Sequence, residues 1–514
     1  MRDRFFVKSE DKSNTEGLDF FFRPRSVAVV GASERKGSWG YNITRNFVQQ
    51  GFKGEFYPIN PKADEIFGFR AYPRLQDIPG EVDLVAMVLP PEKVIDQMET
   101  CVLKGVKCVV LVSSGFREVS AKGKRLEKLV NAVAKKGGIR LLGPNCSGFY
   151  DLPHRLNVSG LDGLFLHDIP ISFVSQSGYS ADSLALDGSF RDLGFNRYVH
   201  TGNEGDLTCT DFLEYFGRDI RTKVILLYME GLKDGRRFIE VAREVTRKKP
   251  IIAFKAGTTP MGARAMLSHT GSMAGADPIF EMVFKKTGIV RVEKLEDILS
   301  VGNAFLHFPP LKGNRIGIFT MGGGWGIALA DALIRKGLRV PESPPSLINN
   351  LAQLGDIPPW ASLKNPVDIG AAFGEISDPA KTLKMVDIVL SHEEIDGLVI
   401  YGLGRLGMMG RKRPEYDSLV TAEVELLDQM CQTAKRHAKP LLICSLFGAE
   451  SLTFKALMKR GLVFYRDIEE VATVLAALHS YYRFLNGGAS VGKRQQNELQ
   501  DNIGDPKAFA DIMS

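Results

Sequence analysis

The stretch that decides the fold is Val27-Ala28-Val29-Val30-Gly31-Ala32-Ser33, in which a short apolar run ends in small residues. The same pattern recurs at residues 171–178 and 316–324, and each time an amphipathic segment follows. Apolar runs without polar alternation suit strands that helices cover on both faces. The three segments therefore predict an α/β protein with three doubly wound domains, each opening with one strand-to-helix unit.

Further apolar runs supply the remaining strands of these sheets. They lie at residues 82–89, 106–112 and 139–142, at 224–228 and 251–254, and at 398–401 and 441–444. Helical patterns such as residues 122–135 and 237–247 alternate with them. Clusters of Gly, Pro and polar residues predict domains at 18–150, 168–308 and 314–485, with polar tails at 1–17 and 487–514.

Composition narrows the class of protein. The 514 residues are 44% hydrophobic and 25% charged, which excludes a disordered or collagen-like chain. A net charge of +6 without Lys/Arg tracts is compatible with an anionic small molecule and gives no support for nucleic acid. No apolar run of about 18 residues occurs, so no membrane helix is predicted. Six cysteines without CxxC pairs and a charged N-terminus predict a reduced, cytoplasmic protein.

The first glycine loop suits a phosphate. A strand that runs through small residues into a helix N-terminus presents unpaired N–H groups and the positive end of the helix dipole. Gly31, Ala32, Ser33 and Gly37 come close to a dinucleotide fingerprint without matching it, and Lys62 stands where an acidic residue would bind a ribose. NAD(P), another phosphate-bearing nucleotide and a purely structural turn all stay open.

The other two loops offer backbone amides without the lysine of a Walker loop. The second is Ser175-Gln176-Ser177-Gly178, and the third is Gly322-Gly323-Gly324-Trp325-Gly326. Each can bind an anion at the N-terminus of the helix that follows. The structural alternatives are a helix capped by Ser175 or Ser177 for the second loop, and close packing of helix on sheet for the third.

One of the eight histidines stands apart. His269 lies in Ser268-His269-Thr270-Gly271-Ser272, a small-residue segment expected to form a mobile loop with an accessible imidazole. An imidazole attacks phosphorus well when a carboxylate holds its other nitrogen. Glu230 is a plausible partner, because it follows a predicted strand at the sheet edge where such folds bind ligands. The alternative is a loop histidine without chemistry. The other seven never show metal-ligand spacing, so no metal site is predicted.

Together these segments resemble the NDP-forming acyl-CoA synthetase superfamily, which includes succinyl-CoA synthetase and the ADP-forming acetyl-CoA synthetases. The likeness runs over about residues 21–485. It is most specific in five motifs that follow the family's order: residues 23–33, Ile59-Asn60-Pro61-Lys62, Leu142-Gly143-Pro144-Asn145-Cys146-Ser147-Gly148, residues 174–178 and residues 268–272.

The resemblance implies a Rossmann-like CoA-binding domain followed by two flavodoxin-like domains of the succinyl-CoA-synthetase type. It implies that CoA is held by ten residues, namely Gly31, Ala32, Ser33, Gly37, Lys62, Pro90, Ser114, Gly115, Asn145 and Cys146. It also implies that His269 is phosphorylated and that Glu230 orients it. The phosphoryl group would be held at two helix N-termini, by Ser175, Gln176, Ser177, Gly178, Gly322, Gly323 and Gly324.

The implied reaction is reversible. Acyl-CoA and phosphate give an acyl phosphate and CoA, and the phosphoryl group passes to His269 and then to a nucleoside diphosphate. The family places ATP or ADP and Mg²⁺ on an ATP-grasp module, which is not recognised in this sequence. The resemblance is thus to the α subunit of the two-subunit enzymes, with an ATP-grasp β subunit in trans, CoA and a small carboxylic acid as expected partners in a hetero-oligomer.

Two departures from the family's pattern bear on the acid. Tyr179-Ser180-Ala181-Asp182 stands where most relatives carry small apolar residues, and Trp325 stands where a proline is common. Such larger residues favour an aromatic or functionalised acid over acetate. Two other functions stay open. One is a CoA- or nucleotide-sensing regulatory protein of the same fold, and the other is an NAD(P)-dependent oxidoreductase, which Lys62 disfavours.

Overall fold

A computed structural model describes residues 17–161, 167–270, 277–355, 361–368 and 378–487, except the side chains of residues 267–270 and 449. These ranges contain three large sheets, in which most strands run parallel, with helices between the strands. The predicted α/β fold with three doubly wound domains is confirmed.

The first domain carries a five-stranded parallel sheet and a short hairpin. Its strands are β1 (Ser26–Val30), β2 (Glu55–Ile59), the hairpin β3 (Glu65–Ile66) and β4 (Phe69–Arg70), β5 (Leu84–Met87), β6 (Cys108–Leu111) and β7 (Arg140–Leu142). Its helices are α1 (Asp19–Phe22), α2 (Trp39–Gln50), α3 (Val94–Lys104) and α4 (Ala121–Lys136). The sheet order is β2-β1-β5-β6-β7. All five residues of β1 are buried, as the apolar run predicts for a central strand.

The second domain carries a seven-stranded sheet. Its strands are β8 (Gly148–Asp151), β9 (Leu156–Ser159), β10 (Ile171–Ser175), β11 (Arg197–His200), β12 (Val224–Met229), β13 (Ile251–Lys255) and β14 (Val290–Val292). Its helices are α5 (Gly178–Ser189), α6 (Cys209–Arg218), α7 (Gly235–Thr246), α8 (Pro260–Thr270), α9 (Asp277–Thr287) and α10 (Asp297–His307). The order is β14-β13-β12-β10-β11-β8-β9, and the pairings of β8 with β11 and β9 are antiparallel.

Residues 148–159 differ from the sequence-based expectation. The predicted limits place them at the end of the first domain and in the linker, whereas here they form β8 and β9 on the second sheet. The two faces of β8 explain this position. Phe149 packs edge-on against Phe21 with ring centroids 5.9 Å apart, and Tyr150 stacks on Phe195 at 5.9 Å. One strand thereby contributes to two cores, so a boundary drawn at residue 150 divides a continuous structure.

The third domain repeats the five-stranded parallel design. Its strands are β15 (Ile316–Thr320), β16 (Val367–Asp368), β17 (Gly397–Tyr401), β18 (Leu441–Cys444) and β19 (Phe464–Tyr465), in the order β16-β15-β17-β18-β19. Its helices are α11 (Gly323–Arg335), α12 (Pro345–Ala352), α13 (Pro379–Ser391), α14 (Arg405–Gly410), α15 (Asp417–His437), α16 (Leu452–Lys459) and α17 (Ile468–Leu485).

The strand order determines where ligands can bind. β1 lies between β2 and β5, β10 lies between β11 and β12, and β15 lies between β16 and β17. From each of these three strands the chain first passes to one side of the sheet and later to the other side. Ligand crevices of open α/β sheets lie at such a switch point, beyond the carboxyl ends of the strands. The three glycine loops all lie at this position.

The domains pack on one another through apolar side chains. Phe21 of α1 lies 6.4 Å from Phe212 of α6, ring centroid to ring centroid. Tyr481 of α17 packs against Phe305 of α10 at 5.3 Å, and its hydroxyl donates to the carbonyl of Thr246 at 2.7 Å. No helix in the described ranges combines the length and the apolar character needed to cross a membrane.

Candidate active site

A cleft of about 820 Å³ lies beyond the carboxyl ends of β1, β5 and β6. Seven of the ten residues predicted to hold CoA line it: Gly31, Ala32, Ser33, Gly37, Lys62, Pro90 and Ser114. Arg35, Trp39 and Asn60 line it as well. The cleft is within the size range of small-molecule and cofactor sites, and Arg35 and Lys62 supply positive charge at its wall.

Glycine is required at the first turn of this cleft. Gly31 has a φ of 91°, and a Cβ there would lie 2.2 Å from the carbonyl oxygen of Val88. A Cβ on Gly40 would lie 2.1 Å from the carbonyl oxygen of Gly31. Asn60 links the two sides of the cleft. Its Nδ2 donates to the Ala32 carbonyl and its Oδ1 accepts from the Lys62 N–H, both at 2.9 Å.

Gly115, Asn145 and Cys146 are not brought into the cleft. The Gly115 N–H donates to Oε1 of Glu118 at 2.6 Å. Cys146 is 4% exposed, its Sγ lies 3.4 Å from the carbonyl oxygen of Leu111, and burial raises the pKa of its thiol to about 12. Asn145 Nδ2 donates to Oδ1 of Asn203 at 3.3 Å, at the boundary with the second domain. The chain turns away here because it leaves the first sheet for β8.

The second loop opens helix α5 without a side-chain cap. Ser177 precedes the helix, yet no described side chain caps it. Ser175 Oγ instead closes its own turn, because it accepts from the Ser177 N–H at 3.0 Å and donates to the Ser177 carbonyl at 2.7 Å. The capped-helix alternative is therefore not observed. The first N–H groups of a helix lack intrahelical acceptors, so this end suits an anion.

His200 forms hydrogen bonds with Ser147 and with Gln176 of this loop. Its Nδ1 accepts from the Ser147 N–H at 2.7 Å, and its Nε2 lies 3.3 Å from the Gln176 carbonyl oxygen, to which it can donate. Burial lowers the pKa of this imidazole to about 4, against the smaller opposing effect of the Gln176 carbonyl. His200 is thus neutral and has hydrogen-bond partners on both ring nitrogens.

Gln176 connects the second loop to the end of β12. Its Nε2 donates to Glu204 Oε1 at 2.9 Å and to the Gly231 carbonyl at 3.1 Å. Its Oε1 accepts from the backbone N–H groups of Glu230 at 2.5 Å and Gly231 at 3.1 Å. Both ends of this side chain are therefore engaged in protein contacts, and phosphate binding by Gln176 stays a prediction.

Glu230 follows β12 directly and is buried. Next to it, at the end of β13, stands a residue that sequence reasoning missed. Lys255 pairs in register with Met229, is 2% exposed, and has its Nζ 4.7 Å from the ring centroid of Phe280. Burial lowers the pKa of Lys255 to about 8, while Asp277 and Glu230 oppose that shift. A lysine at the end of an otherwise apolar strand was the available signal.

The structure assigns the backbone of His269 to the last turn of helix α8, so the prediction of a loop at this residue is wrong. Its side chain and residues 271–276 lie outside the described part of the chain. The contact between His269 and Glu230 accordingly stays a prediction.

The third loop repeats the geometry of the second. Thr320 Oγ1 accepts from the Gly322 N–H at 3.2 Å and donates to the Gly322 carbonyl at 2.8 Å, and no described side chain caps α11. A Cβ at Gly322 or Gly324 would meet no described atom within 4 Å, whereas one at Gly326 would lie 2.9 Å from Thr320 Cγ2. Close packing therefore accounts for Gly326 and does not account for Gly322 and Gly324.

A large aromatic side chain lies in the first turn of each of the helices α5 and α11. On α11, Trp325 stacks on Tyr401 with ring centroids 4.6 Å apart and is 44% exposed. On α5, Tyr179 is 82% exposed. Both residues belong to the departures from the family pattern.

Comparison with known proteins gives a consistent family. A model described as a CoA binding domain matches residues 25–151, and one described as a succinyl-CoA ligase like flavodoxin domain matches residues 169–305. Acetate–CoA ligase (ADP-forming) II subunit alpha of Pyrococcus furiosus is 37% identical over 92% of this chain and 100% of its own length. Acetate–CoA ligase (ADP-forming) of Methanocaldococcus jannaschii is 39% identical over 68% of this chain and 49% of its own length.

A solved structure agrees with these sequence relatives. Dinucleotide forming acetyl-coenzyme A synthetase 1 of Ca. Korarchaeum cryptofilum, in complex with phosphate and ADP, matches with a TM-score of 0.79 at 32% identity, over 92% of this chain and 99% of that one. Fold and site together define an acyl-CoA synthetase with a CoA-binding first domain. The chain belongs to the family of ADP-forming acyl-CoA ligases and corresponds to their alpha subunits. This membership confirms the predicted ligase over the regulatory alternative.

Proposed function

We propose that this chain is the CoA-binding, phosphohistidine-carrying subunit of the ligase, acting through an acyl phosphate and phosphorylated His269. The observation that carries the proposal is the repeated turn at Ser175–Ser177 and Thr320–Gly322, which begins two helices that no described side chain caps. Helix N-termini of this kind hold phosphate through backbone N–H groups and the helix dipole.

The proposed reaction proceeds in three balanced steps. An oxygen of hydrogen phosphate attacks the thioester carbonyl, the C–S bond breaks, and the CoA sulfur leaves with the proton that the hydrogen phosphate gives up. A ring nitrogen of His269 then attacks the phosphorus of the acyl phosphate, the P–O bond to the acyl group breaks, and the carboxylate leaves. Finally a terminal oxygen of the nucleoside diphosphate attacks phosphorus, the P–N bond breaks, and His269 is regenerated.

The chain's own groups would act mainly by electrostatics. Each step moves charge on a phosphoryl group, so preorganised N–H donors stabilise the transition states. The amides of Gly178, Gly323 and Gly324 are the proposed donors, and the Glu230 carboxylate would fix the tautomer of His269. The lips of the cleft, with Arg35 and Lys62, would hold the phosphates of CoA.

The nucleotide and Mg²⁺ are assigned to an ATP-grasp β subunit in trans, which would make the enzyme a hetero-oligomer. Two comparisons support this division. The relative from Pyrococcus furiosus is named a subunit alpha, and this chain matches 49% of the length of the relative from Methanocaldococcus jannaschii. The domain limits other than the one at residue 150 stay predictions. The cytoplasmic location also stays a prediction, and the six cysteines are unpaired thiols.

Phosphorylation of His269 tests the proposal directly. The purified chain, with and without its ATP-grasp partner, is incubated with γ-labelled ATP and Mg²⁺ and assayed for acid-labile, base-stable label. We expect label in the wild type with the partner present and none in His269→Ala. His437→Ala is the matched control, because His437 Nε2 contacts a carboxylate oxygen of Asp387 at 2.8 Å in the third domain, as His269 is proposed to contact Glu230. Label that survives His269→Ala, or that never forms with the partner present, refutes the mechanism.

A further inference from the structure

A short segment, Thr201-Gly202-Asn203-Glu204-Gly205, lies between the CoA cleft and the second loop. We call it the bridge. It follows β11, and its two central side chains, Asn203 and Glu204, are 2% and 4% exposed. Gly202 and Glu204 have φ values of 59° and 55°, in the left-handed region that a residue such as Glu seldom adopts. A buried polar segment with this conformation is held there by its contacts.

Asn203 contacts the first domain. Its Nδ2 donates to Glu118 Oε2 at 2.7 Å and to Glu127 Oε2 at 3.0 Å. The other oxygen of Glu118 accepts from the N–H groups of Gly115 at 2.6 Å and Phe116 at 3.0 Å. These two amides directly follow Ser113 and Ser114, which line the cleft. Asn203 is thus linked to the cleft wall through the carboxylate of Glu118.

Glu204 contacts the second loop. Its Oε1 accepts from Gln176 Nε2 at 2.9 Å, from Thr201 Oγ1 at 3.1 Å and from the Cys209 N–H at 2.9 Å. Gln176 in turn accepts from the backbone N–H of Glu230. Through two adjacent residues, the cleft wall is therefore joined to the backbone of Glu230 by hydrogen bonds and one peptide linkage.

We propose that the bridge couples occupancy of the CoA cleft to the geometry of the phosphoryl-transfer residues, with Asn203 and Glu204 as positioning residues. The coupling rests on the proposed function, because it links the two sites named there. Breaking the hydrogen bonds to the partly buried Glu118 carboxylate would leave it without donors, which costs free energy. When the wall formed by Ser113–Phe116 moves, Glu118 therefore moves with it and displaces Asn203. Coupling between sites is reciprocal at equilibrium. Phosphorylation of His269 would therefore alter the affinity for CoA by the same factor by which CoA alters the equilibrium constant of that phosphorylation.

Hydrogen–deuterium exchange of the full chain, with and without CoA, tests the bridge. In the wild type we expect CoA to slow exchange in peptides covering residues 31–40 and 113–116, and also by about fivefold in peptides covering 175–178 and 229–231. In Asn203→Ala the first effect persists and the second is lost. Asn196→Ala is the matched control and keeps both effects. Asn196 is a buried asparagine at the opposite end of β11, where its Nδ2 donates to Asp168 at 2.8 Å.

A second pair of variants separates the coupling from general destabilisation. Glu204→Gln keeps a side-chain oxygen that can accept the three hydrogen bonds, so it retains the remote effect of CoA, whereas Glu204→Ala abolishes it. This pair decides the question if Asn203→Ala does not fold. The bridge is refuted if CoA slows exchange at the cleft alone in the wild type, or if a folded Asn203→Ala or Glu204→Ala variant keeps the remote effect. Absence of any effect at the cleft contradicts CoA binding there, and hence the proposed function itself.

Discussion

The side-chain oxygen of Gln176 accepts the backbone N–H of Glu230 at 2.5 Å, across 54 positions of sequence. This contact joins the backbone of Glu230, the residue proposed to orient His269, to the loop proposed to bind phosphate. The relative position of these two proposed functional elements thus depends on one side-chain amide.

Replacement of this amide should slow phosphorylation more than it weakens CoA binding. In Gln176→Ala, Glu230 loses its anchor and Glu204 loses a donor. A destabilisation of about 1–3 kcal/mol is expected from the unsatisfied buried groups. Single-turnover labelling of His269 should fall by about tenfold or more, since small displacements of positioned groups reduce rates strongly. Rapid-quench labelling beside CoA titration checks this, and an unchanged labelling rate would contradict the positioning role.

Two nearby glycines of the third loop should respond oppositely to alanine. Gly324→Ala adds a methyl group where no described atom lies within 4 Å, so the unfolding temperature should hold or rise while label on His269 decreases. Gly326→Ala forces a Cβ to 2.9 Å from Thr320 and 3.1 Å from Pro366, so stability should fall by about 1–3 kcal/mol. Thermal unfolding and the labelling assay on both variants separate anion binding from packing. Equal loss of stability in both would rule out the distinction.

The buried Lys255 should make stability depend on alkaline pH. Its folded pKa is about 8 and its ordinary value is 10.5, so between these values the unfolded chain binds more protons than the folded one. Stability then rises with pH across this window. Denaturant unfolding at several pH values should show a steeper rise in the wild type than in Lys255→Met. Lys128→Met, at an exposed lysine of α4, should leave the slope unchanged, and equal slopes in all three proteins would count against the assignment.

The aromatic side chains should affect the choice of acid. Trp325 stacks on Tyr401 and remains partly exposed, so it offers a flat apolar surface at the start of α11. An aromatic pair contributes about 0.5–1.5 kcal/mol, which corresponds to roughly tenfold at its upper end. Trp325→Ala should lower the ratio of kcat/KM for an aromatic acid over acetate by up to about tenfold. A coupled assay over a panel of acids measures the ratio, and a ratio unaffected by the substitution would exclude Trp325 from acid selection.

The main features of the fold were predictable because they depend on local patterns. The buried strands β1, β10 and β15 are mostly apolar and lead into small residues, so their number and order specify three sheets. Edge strands gave a weaker signal. β2 contains Glu55 and Pro58, and β19 is only two residues long. Both are edge strands, which need fewer apolar side chains than central strands do. His269 was expected in a loop because small residues surround it, yet they also tolerate the helical turn in which it lies.

The sequence by itself determined the three switch-point loops, because each needs a backbone that runs tightly from strand to helix and only small residues permit that. The tertiary structure decided which side chains meet across those loops. Asn203 contacts Glu118 over 85 positions and Gln176 contacts Glu204 over 28, and neither spacing follows a helix or strand period. The first pair forms only when the first sheet docks on the second, and the second pair forms where the neighbouring strands β10 and β11 end. The desolvation of buried polar groups selects partners by position in space and not by distance along the chain.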